Sequence, residues 1–480
     1  MIMKKLVKSL ILSSMLLIGC GGNVSTGNTN SNNSSSAISF DSSSTNNIKD
    51  SNVDSNSTSS ASQNKKEVLR YSSYSITSLD RKMVEEYNKI QNNVEVIIVE
   101  NIQPEFQTIT WEDFLYAQEA KNEFPDVLKI DSIPYYIEKN WIMDISEFVK
   151  NDEEFKSLNE DIKNSLGYEG MTFALPSNII YQGYYVNNSL YNETLKYNIS
   201  FSDFISKTNS IISSEIKGIN GIDFIIDVYP SILNDTYEWF TFDKQKFNLD
   251  SLEFNKTIQL YKDVRNSSAW YDPSTNYEGI DYLFENRLAA NYDSTLSLEK
   301  YMNKEGASYD FIGVPSYDNN TKTPIIIDHI AVSKKTKNAL EAYKFSKWMG
   351  INKNGYLKKI DLGKEDSSLG VINYPPMVND EEVLNAYFDL CPSFNELRKV
   401  IENQSFVVDL TRTLPGYSEI RYQGIVDNSK SVIQVLFELM NGIVEFNDIS
   451  NSLNLSINNI YNEKMNSFKD VINKNYITSK

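Results

Sequence analysis

Five consecutive segments between Val68 and Ile130 constrain the fold most. Val68-Leu69-Arg70-Tyr71 reads as a strand. Leu79, Met83, Val84, Tyr87 and Ile90 then recur at helical spacing, with Ser78 placed to cap. Val94 to Val99 is a second strand, Trp111 to Lys121 a second helix, and Pro125 to Ile130 a third strand that ends at Asp131-Ser132. Strand, helix, strand, helix, strand at this spacing predicts a mostly parallel sheet covered by helices, because parallel neighbours need a crossover connection. Such sheets receive ligands at the carboxyl ends of their strands, so Tyr71 to Tyr74 and Asp131 to Tyr136 fall at a rim.

The chain opens with lysines, an apolar run from Leu10 to Ile18, and Leu17-Ile18-Gly19 directly before Cys20. The run is far shorter than the roughly 20 residues that span a bilayer, which predicts an export signal over 1–20. Its ending resembles the lipobox of bacterial lipoproteins, in which the cysteine is lipidated and becomes the first mature residue. The expectation is a protein tethered to a membrane through Cys20, on the extracytoplasmic face of the cell membrane. Residues 21–65 are almost entirely Ser, Asn, Thr and Gly. Nothing there repays the entropy of ordering, so a flexible linker is predicted, with a reach on the order of 35–40 Å.

Residues 66–480 exceed what one hydrophobic core usually supports, so two lobes are expected. A net charge of −18 argues against nucleic acid and anionic polymers as partners, and leaves neutral sugars open. The chain has two cysteines; with Cys20 lipidated, Cys391 has no partner and reads as a buried thiol. Thirty Tyr, 23 Phe and five Trp fit carbohydrate stacking.

Further along, Tyr184-Tyr185-Val186 reads as a strand followed by an Asn187-Asn188 turn. Amphipathic stretches at Phe201 to Ile205 and Leu252 to Val264 predict helices, and Leu288 to Tyr292 a short strand. Pro324 to Val332 is apolar and β-branched, interrupted only by Asp328-His329, and runs into Ser333 as a cap and a helix bearing Ala339, Ala342, Tyr343, Phe345 and Trp348. The tail from Glu381 is mainly helical, with stripes at Val432 to Met440 and Leu453 to Met465.

The sequence holds no phosphate loop, HExxH or CxxC motif. His329 is the only histidine, which excludes histidine-rich metal sites, and no G-x-S-x-G elbow accompanies it, which argues against a hydrolytic triad. His329 reads either as a cleft contact or as a structurally satisfied group. A glycoside hydrolase would need only two carboxylates about 5–10 Å apart, which composition leaves open.

Four stretches carry a resemblance. They are Phe124 to Asp131 (FPDVLKID); Tyr168 to Pro176 (YEGMTFALP), followed by Gly183 to Tyr191 (GYYVNNSLY); Phe284 to Ala290 (FENRLAA); and Ile330 to Asn338 (IAVSKKTKN), ahead of Ala342-Tyr343-Lys344-Phe345. In this order the chain resembles the family 1 extracellular solute-binding proteins of ABC importers, the group that includes maltose-binding protein. Asn286, Asn188 and Asn291 depart from the family's usual residues. The resemblance implies a two-lobed α/β fold of the periplasmic-binding-protein type II class. One lobe would comprise 66–176 with 323–355, the other 177–322 with 371–480, and a ligand cleft would lie between them. It also implies no catalysis, no cofactor and no metal. The expected function is capture of a neutral carbohydrate, an oligosaccharide, by a monomer that delivers it to ABC permease subunits in the membrane. The alternatives are a surface hydrolase acting on glycans through paired carboxylates, or a binding protein for a peptide or another small polar solute.

The expected ligand-binding residues follow from these placements. Asp131 and Ser132 end the third strand, and Tyr135 and Tyr136 come next, either in the cleft or packing a helix. Asn178 and Tyr181 lie at the crossing between lobes. Tyr292 and Asp293 follow the Leu-Ala-Ala strand. Asp328 and His329 interrupt an apolar strand and need polar partners. Trp239 would stack on a sugar or fill the core with Phe240 and Phe242. Arg412 and Tyr417 flank the loop-like Leu414-Pro415-Gly416, where a guanidinium has donors to offer a sugar.

Overall fold

The computed structural model describes residues 66–102, 108–234, 239–241, 245–273, 281–422 and 430–477. The expected signal, the lipidated Cys20 and the linker over 1–65 lie outside them, as does Phe242. The strands in order are β1 (Glu67–Ser73), β2 (Val94–Ile98), β3 (Val127–Ile130), the hairpin β4 (Gly167–Tyr168) and β5 (Met171–Thr172), and β6 (Leu175–Asn187). There follow β7 (Lys217–Asn220), the hairpin β8 (Phe240–Thr241) and β9 (Lys246–Phe247), β10 (Leu288–Ser294), β11 (Tyr309–Phe311), β12 (Thr323–Val332) and β13 (Phe406–Val408).

The main sheet runs β2-β1-β3-β12-β6-β10-β7, with β13 beside β12 and β11 beside β6. The pairs β1–β2 and β1–β3 are parallel, as the alternation of strands and helices requires. Strand β6 is shared by two halves. Its first part, Leu175 to Tyr181, pairs antiparallel with β12, and its second part, Gln182 to Asn187, with β10 and β11. Almost every β6 residue is buried, which is what covering on both faces produces. Because β12 is antiparallel to both β3 and β6, β6 leaves the first half at the carboxyl ends of β1 and β3. In the second half β10 runs against β6 and β7 runs with β10, so both end where β6 enters. The carboxyl ends of the parallel strands in both halves therefore face the crossing. The two-lobed α/β reading holds.

At the crossing the backbones nearly touch. A Cβ on Gly183 of β6 would lie 2.6 Å from the Cα of Gly313, which follows β11 with φ +69°. Only glycine fits such an approach.

Three local readings need correction. The first helix, Ser78–Ile90, is capped by Thr77 and not Ser78: the Thr77 hydroxyl accepts from the Asp80 amide while the Asp80 carboxylate accepts from the Thr77 amide. A residue with two reciprocal bonds outcompetes its neighbour for the cap. Asn187-Asn188 is not a free turn, because Asn187 caps a short helix, Asn188–Tyr191. Ser333 caps nothing. It is fully buried, bridged to Ile142, and its amide donates to Asp126 O at 2.8 Å; the helix Ala339–Met349 starts only after Asn338.

The C-terminal segment, assigned to the second lobe from sequence, touches both halves. In the helix Phe446–Ile472, Asn454 and Asn458 accept from the Leu249 and Phe247 amides beside β9. Farther along, Phe468 meets the ring of Tyr168 edge-on, and the Tyr476 hydroxyl donates to Ile142 O in the first half. The helix is about 40 Å long at 1.5 Å per residue and contains neither Gly nor Pro.

Candidate ligand cleft

The first-half wall is built where β1, β3 and β12 bring polar side chains to the crossing. The register of β12 on β6 shifts at Asp328/His329, so Ser177 is an extra residue opposite one partner and Asn178 lies beside Asp328. Bulges of this kind re-aim side chains. Arg412, from the 3₁₀ turn Leu410–Arg412, donates from Nη1 to Asp328 Oδ1 at 2.6 Å and to Ile327 O at 3.2 Å. Burial favours a proton on Asp328, but the charges of Lys129 and Arg412 outweigh it and hold the carboxyl below its usual range. The Asn178 amide is satisfied when its oxygen accepts from Lys129 Nζ at 3.1 Å and its nitrogen donates to Ser177 O at 2.8 Å. In the reverse orientation the nitrogen reaches Asp328 Oδ2 at 3.3 Å, but the oxygen then faces the Ser177 carbonyl and the nitrogen the Lys129 ammonium. Asp131 is exposed at the end of β3, and its charge acts on both Arg412 and Tyr136.

An aromatic group adjoins these charges. Tyr74 directly follows β1 and is 66 % exposed. Its ring meets Trp111 edge-on, 6.4 Å between centroids. Trp111 opens the helix Trp111–Ala120 and so stands at the same rim; it stacks on Phe114 and donates from Nε1 to the Tyr136 hydroxyl at 2.6 Å.

The second-half wall is mainly aromatic. Tyr292 of β10 is half-buried and lies parallel to Phe224 at 4.4 Å, with Tyr184 edge-on. Gly221, φ +82°, makes room for it, since a Cβ there would be 2.7 Å from the Tyr292 Cβ. Arg421 donates from Nη2 to both Asp227 oxygens at 2.8 Å, and its guanidinium lies over Trp239, 4.9 Å from the ring centroid. Arg412 and Arg421 thus leave one short segment and pair with aspartates of opposite halves.

Of the thirteen residues named from sequence, Tyr292 lies in the second-half wall and the other twelve are placed as follows. Asp131, Asn178, Asp328 and Arg412 come together at the first-half wall. Ser132 sits half-buried at the start of the helix Ile133–Glu138. Tyr135 is half-buried against Tyr136 and Trp141, while Tyr136 is enclosed. Tyr181 is enclosed too; its hydroxyl donates to Pro376 O. Asp293 accepts from the Tyr301 hydroxyl at 3.2 Å. Trp239 is 1 % exposed and donates from Nε1 to Ile226 O, so it belongs to the core and not to an open face. Tyr417 is buried, parallel to the Phe247 ring. His329 has no exposed surface. Burial, and after it the charge of Arg412, push its pKa down to about 3, so it is neutral at physiological pH, and neither ring nitrogen has a hydrogen-bond partner among the described residues.

Sequence reasoning missed Trp111, Asp227 and Arg421, and placed Tyr74 at the rim without assigning it a role. Trp111 carried a signal: the first residue of a helix after a parallel strand lies on the ligand side of the sheet. Arg421 and Asp227 lie 194 positions apart and carried none.

Chemically, the walls offer aromatic faces and planar ion pairs. Asp328 is held ionised, which suits an acceptor of hydrogen bonds and not a general acid. Among the described residues no cluster of His, Cys, Asp and Glu is arranged to hold a metal. No described helix is long and apolar enough to cross a membrane.

The chain belongs to the bacterial extracellular solute-binding proteins, whose family pattern matches residues 75–355, more than half of its length. It is a family of binding proteins that work outside the cytoplasm. No curated protein sequence matches the chain. Among solved structures, the chain is similar to an ABC substrate-binding protein from Listeria monocytogenes in complex with cycloalternan, at 17% identity and TM-score 0.58, covering 84% of this chain and 100% of that one. It is similar as well to the cyclic α-maltosyl-1,6-maltose binding protein of Arthrobacter globiformis, at 13% identity and TM-score 0.62, covering 83% and 99%. A third is the sugar-binding protein MalE of Xanthomonas citri, at 9% identity and TM-score 0.61, covering 84% and 99%. At these identities the likeness is one of fold.

Proposed function

We propose that the protein is an extracytoplasmic receptor, anchored by lipid on Cys20, that captures a neutral oligosaccharide between its lobes and hands it unaltered to the permease of an ABC importer. The lobe of 66–176 and 323–355 closes on that of 177–322, and the receptor acts as a monomer. One observation carries the reading: aromatic faces (Tyr74, Trp111, Tyr292) stand beside guanidinium–carboxylate pairs (Arg412–Asp328, Arg421–Asp227) where the two halves meet. Aromatic rings cover the apolar face of a pyranose, and fixed planar donors and acceptors take its hydroxyls. The structural neighbours with oligosaccharide ligands support the same class. Closure follows from contacts to both walls at once.

The test is calorimetry against linear and cyclic gluco-oligosaccharides, with the sugar analysed afterwards. Binding with the sugar recovered intact is expected. Shortened products would replace the reading with a hydrolase, and binding of peptides alone would replace the ligand class. Membrane attachment is tested with Cys20→Ala, which is expected to leave the membrane fraction; continued detergent-dependent association would refute the anchor.

A further inference from the structure

Behind the Asn178–Asp328 step lies a recess of about 70 Å³, lined among others by Tyr71, Asp80, Lys129, Asn178, Lys359 and Tyr374. It sits between the first-half sheet and the helices Ser78–Ile90 and Lys353–Glu365. Its charges do not balance. Asp328, at the rim, is matched by Arg412. Asp80 is matched by Lys129, 4.0 Å away, and accepts from the hydroxyls of Tyr71 and Thr77. Lys359 is left over. It is 7 % exposed, donates to the carbonyls of Met349 and Ser177, and has no ion pair among the described residues. Two carbonyls occupy two of the three ammonium protons and cancel none of the charge. A cation so enclosed sheds its proton or acquires an anion. Burial, then the charge of Lys129, push the Lys359 pKa down to about 7, against the pull of Asp80, so just below neutrality the ammonium form is present, facing the Tyr356 ring 5.1 Å away but no paired anion among the described residues.

We propose that this recess binds a small monovalent inorganic anion of chloride size, held between the ammonium groups of Lys359 and Lys129. A water claims about 30 Å³ in the liquid, so the recess has room for such an ion and a water. The site lies behind the wall proposed to meet the sugar, and its test does not depend on that reading. Because Asn178 and Lys129 belong to both recess and cleft wall, the anion settles the side chains that the first lobe presents to the crossing.

Thermal melts at pH 6.5 in sodium chloride and in sodium gluconate of equal ionic strength test the proposal, since general screening is then the same. The expected result is a saturable rise in Tm with chloride, absent with gluconate and lost in Lys359→Met. The Met variant has its own stability, so the readout is the chloride dependence and not the absolute Tm. A bromide-soaked crystal of the wild-type protein gives a second measurement, expected to show an anomalous peak in the recess within hydrogen-bond reach of Lys359 Nζ. Equal Tm in both salts, an unchanged chloride response in Lys359→Met, or bromide peaks confined to other places would each overturn it.

Discussion

Replacing Arg412 with Ala strands the Asp328 carboxylate. The pair is joined at 2.6 Å, with 22% of the Arg412 and 23% of the Asp328 side chain accessible. Breaking a fully buried pair costs about 3–5 kcal/mol, and losing one hydrogen bond to a charged group about 1.5–3 kcal/mol. Partial exposure and the remaining charge of Lys129 put this site at the lower end, about 2 kcal/mol at pH 7. The sign with pH follows from the depressed Asp328 pKa. A carboxyl held below its unfolded value, about 3.9, stabilises above that value and loses the contribution as pH falls through the folded one. Without Arg412 burial moves the carboxyl back up, and protonation then relieves the stranded charge. The difference between wild type and Arg412→Ala, read from urea unfolding by tryptophan fluorescence, is therefore expected to shrink between pH 7 and pH 3.5. A difference that stays constant over that range, or one below about 0.5 kcal/mol at pH 7, would refute the reasoning.

Three further outcomes are expected. Tyr74→Ala costs about 1–3 kcal/mol of affinity for a bound oligosaccharide by calorimetry, with Tm nearly unchanged because the ring is mostly exposed; an unaffected Kd would remove Tyr74 from the site. Trp239→Ala acts the other way, losing about 3–5 kcal/mol of stability in urea melts, since the ring is enclosed beneath Arg421; a stable variant with weakened sugar binding would contradict the placement. Gly183→Ala loses about 1–3 kcal/mol, or fails to accumulate, because its Cβ meets the Gly313 backbone; wild-type stability would mean that the strands at the crossing separate freely.

The parallel β1–β2–β3 unit was legible because its helices carry a 3.6-residue stripe and its strands short apolar runs. Leu79, Met83, Val84 and Tyr87 are the buried face of the first helix. Caps were less legible: Thr77 and Ser78 are equivalent in type, and only the reciprocal bond with Asp80 separates them. An interrupted apolar strand identified Asp328 as a group needing a partner, but the bulge at Ser177 that turns it toward Arg412 has no sequence signature. Trp239 illustrates the converse limit. A tryptophan in a binding protein suggests stacking, whereas its hydrogen bond to Ile226 O, 13 positions away, and the Arg421 guanidinium over its face, from a segment far along the chain, are set by the fold.

The helix Phe446–Ile472 also bears on the order in which the protein is made. Phe468, Ile472 and Tyr476 are buried, and Phe468 and Tyr476 pack on Tyr168 and Phe173, whose own segment is synthesised some three hundred residues earlier. Domains ordinarily fold as they emerge, amino-terminal first. Here the first lobe lacks part of its core until residues 468–476 have been added. The growing chain is thus kept short of its final packing while some three hundred further residues are made, a state compatible with being threaded through a narrow channel, and loss of residues 468–476 would leave a distant lobe unfinished.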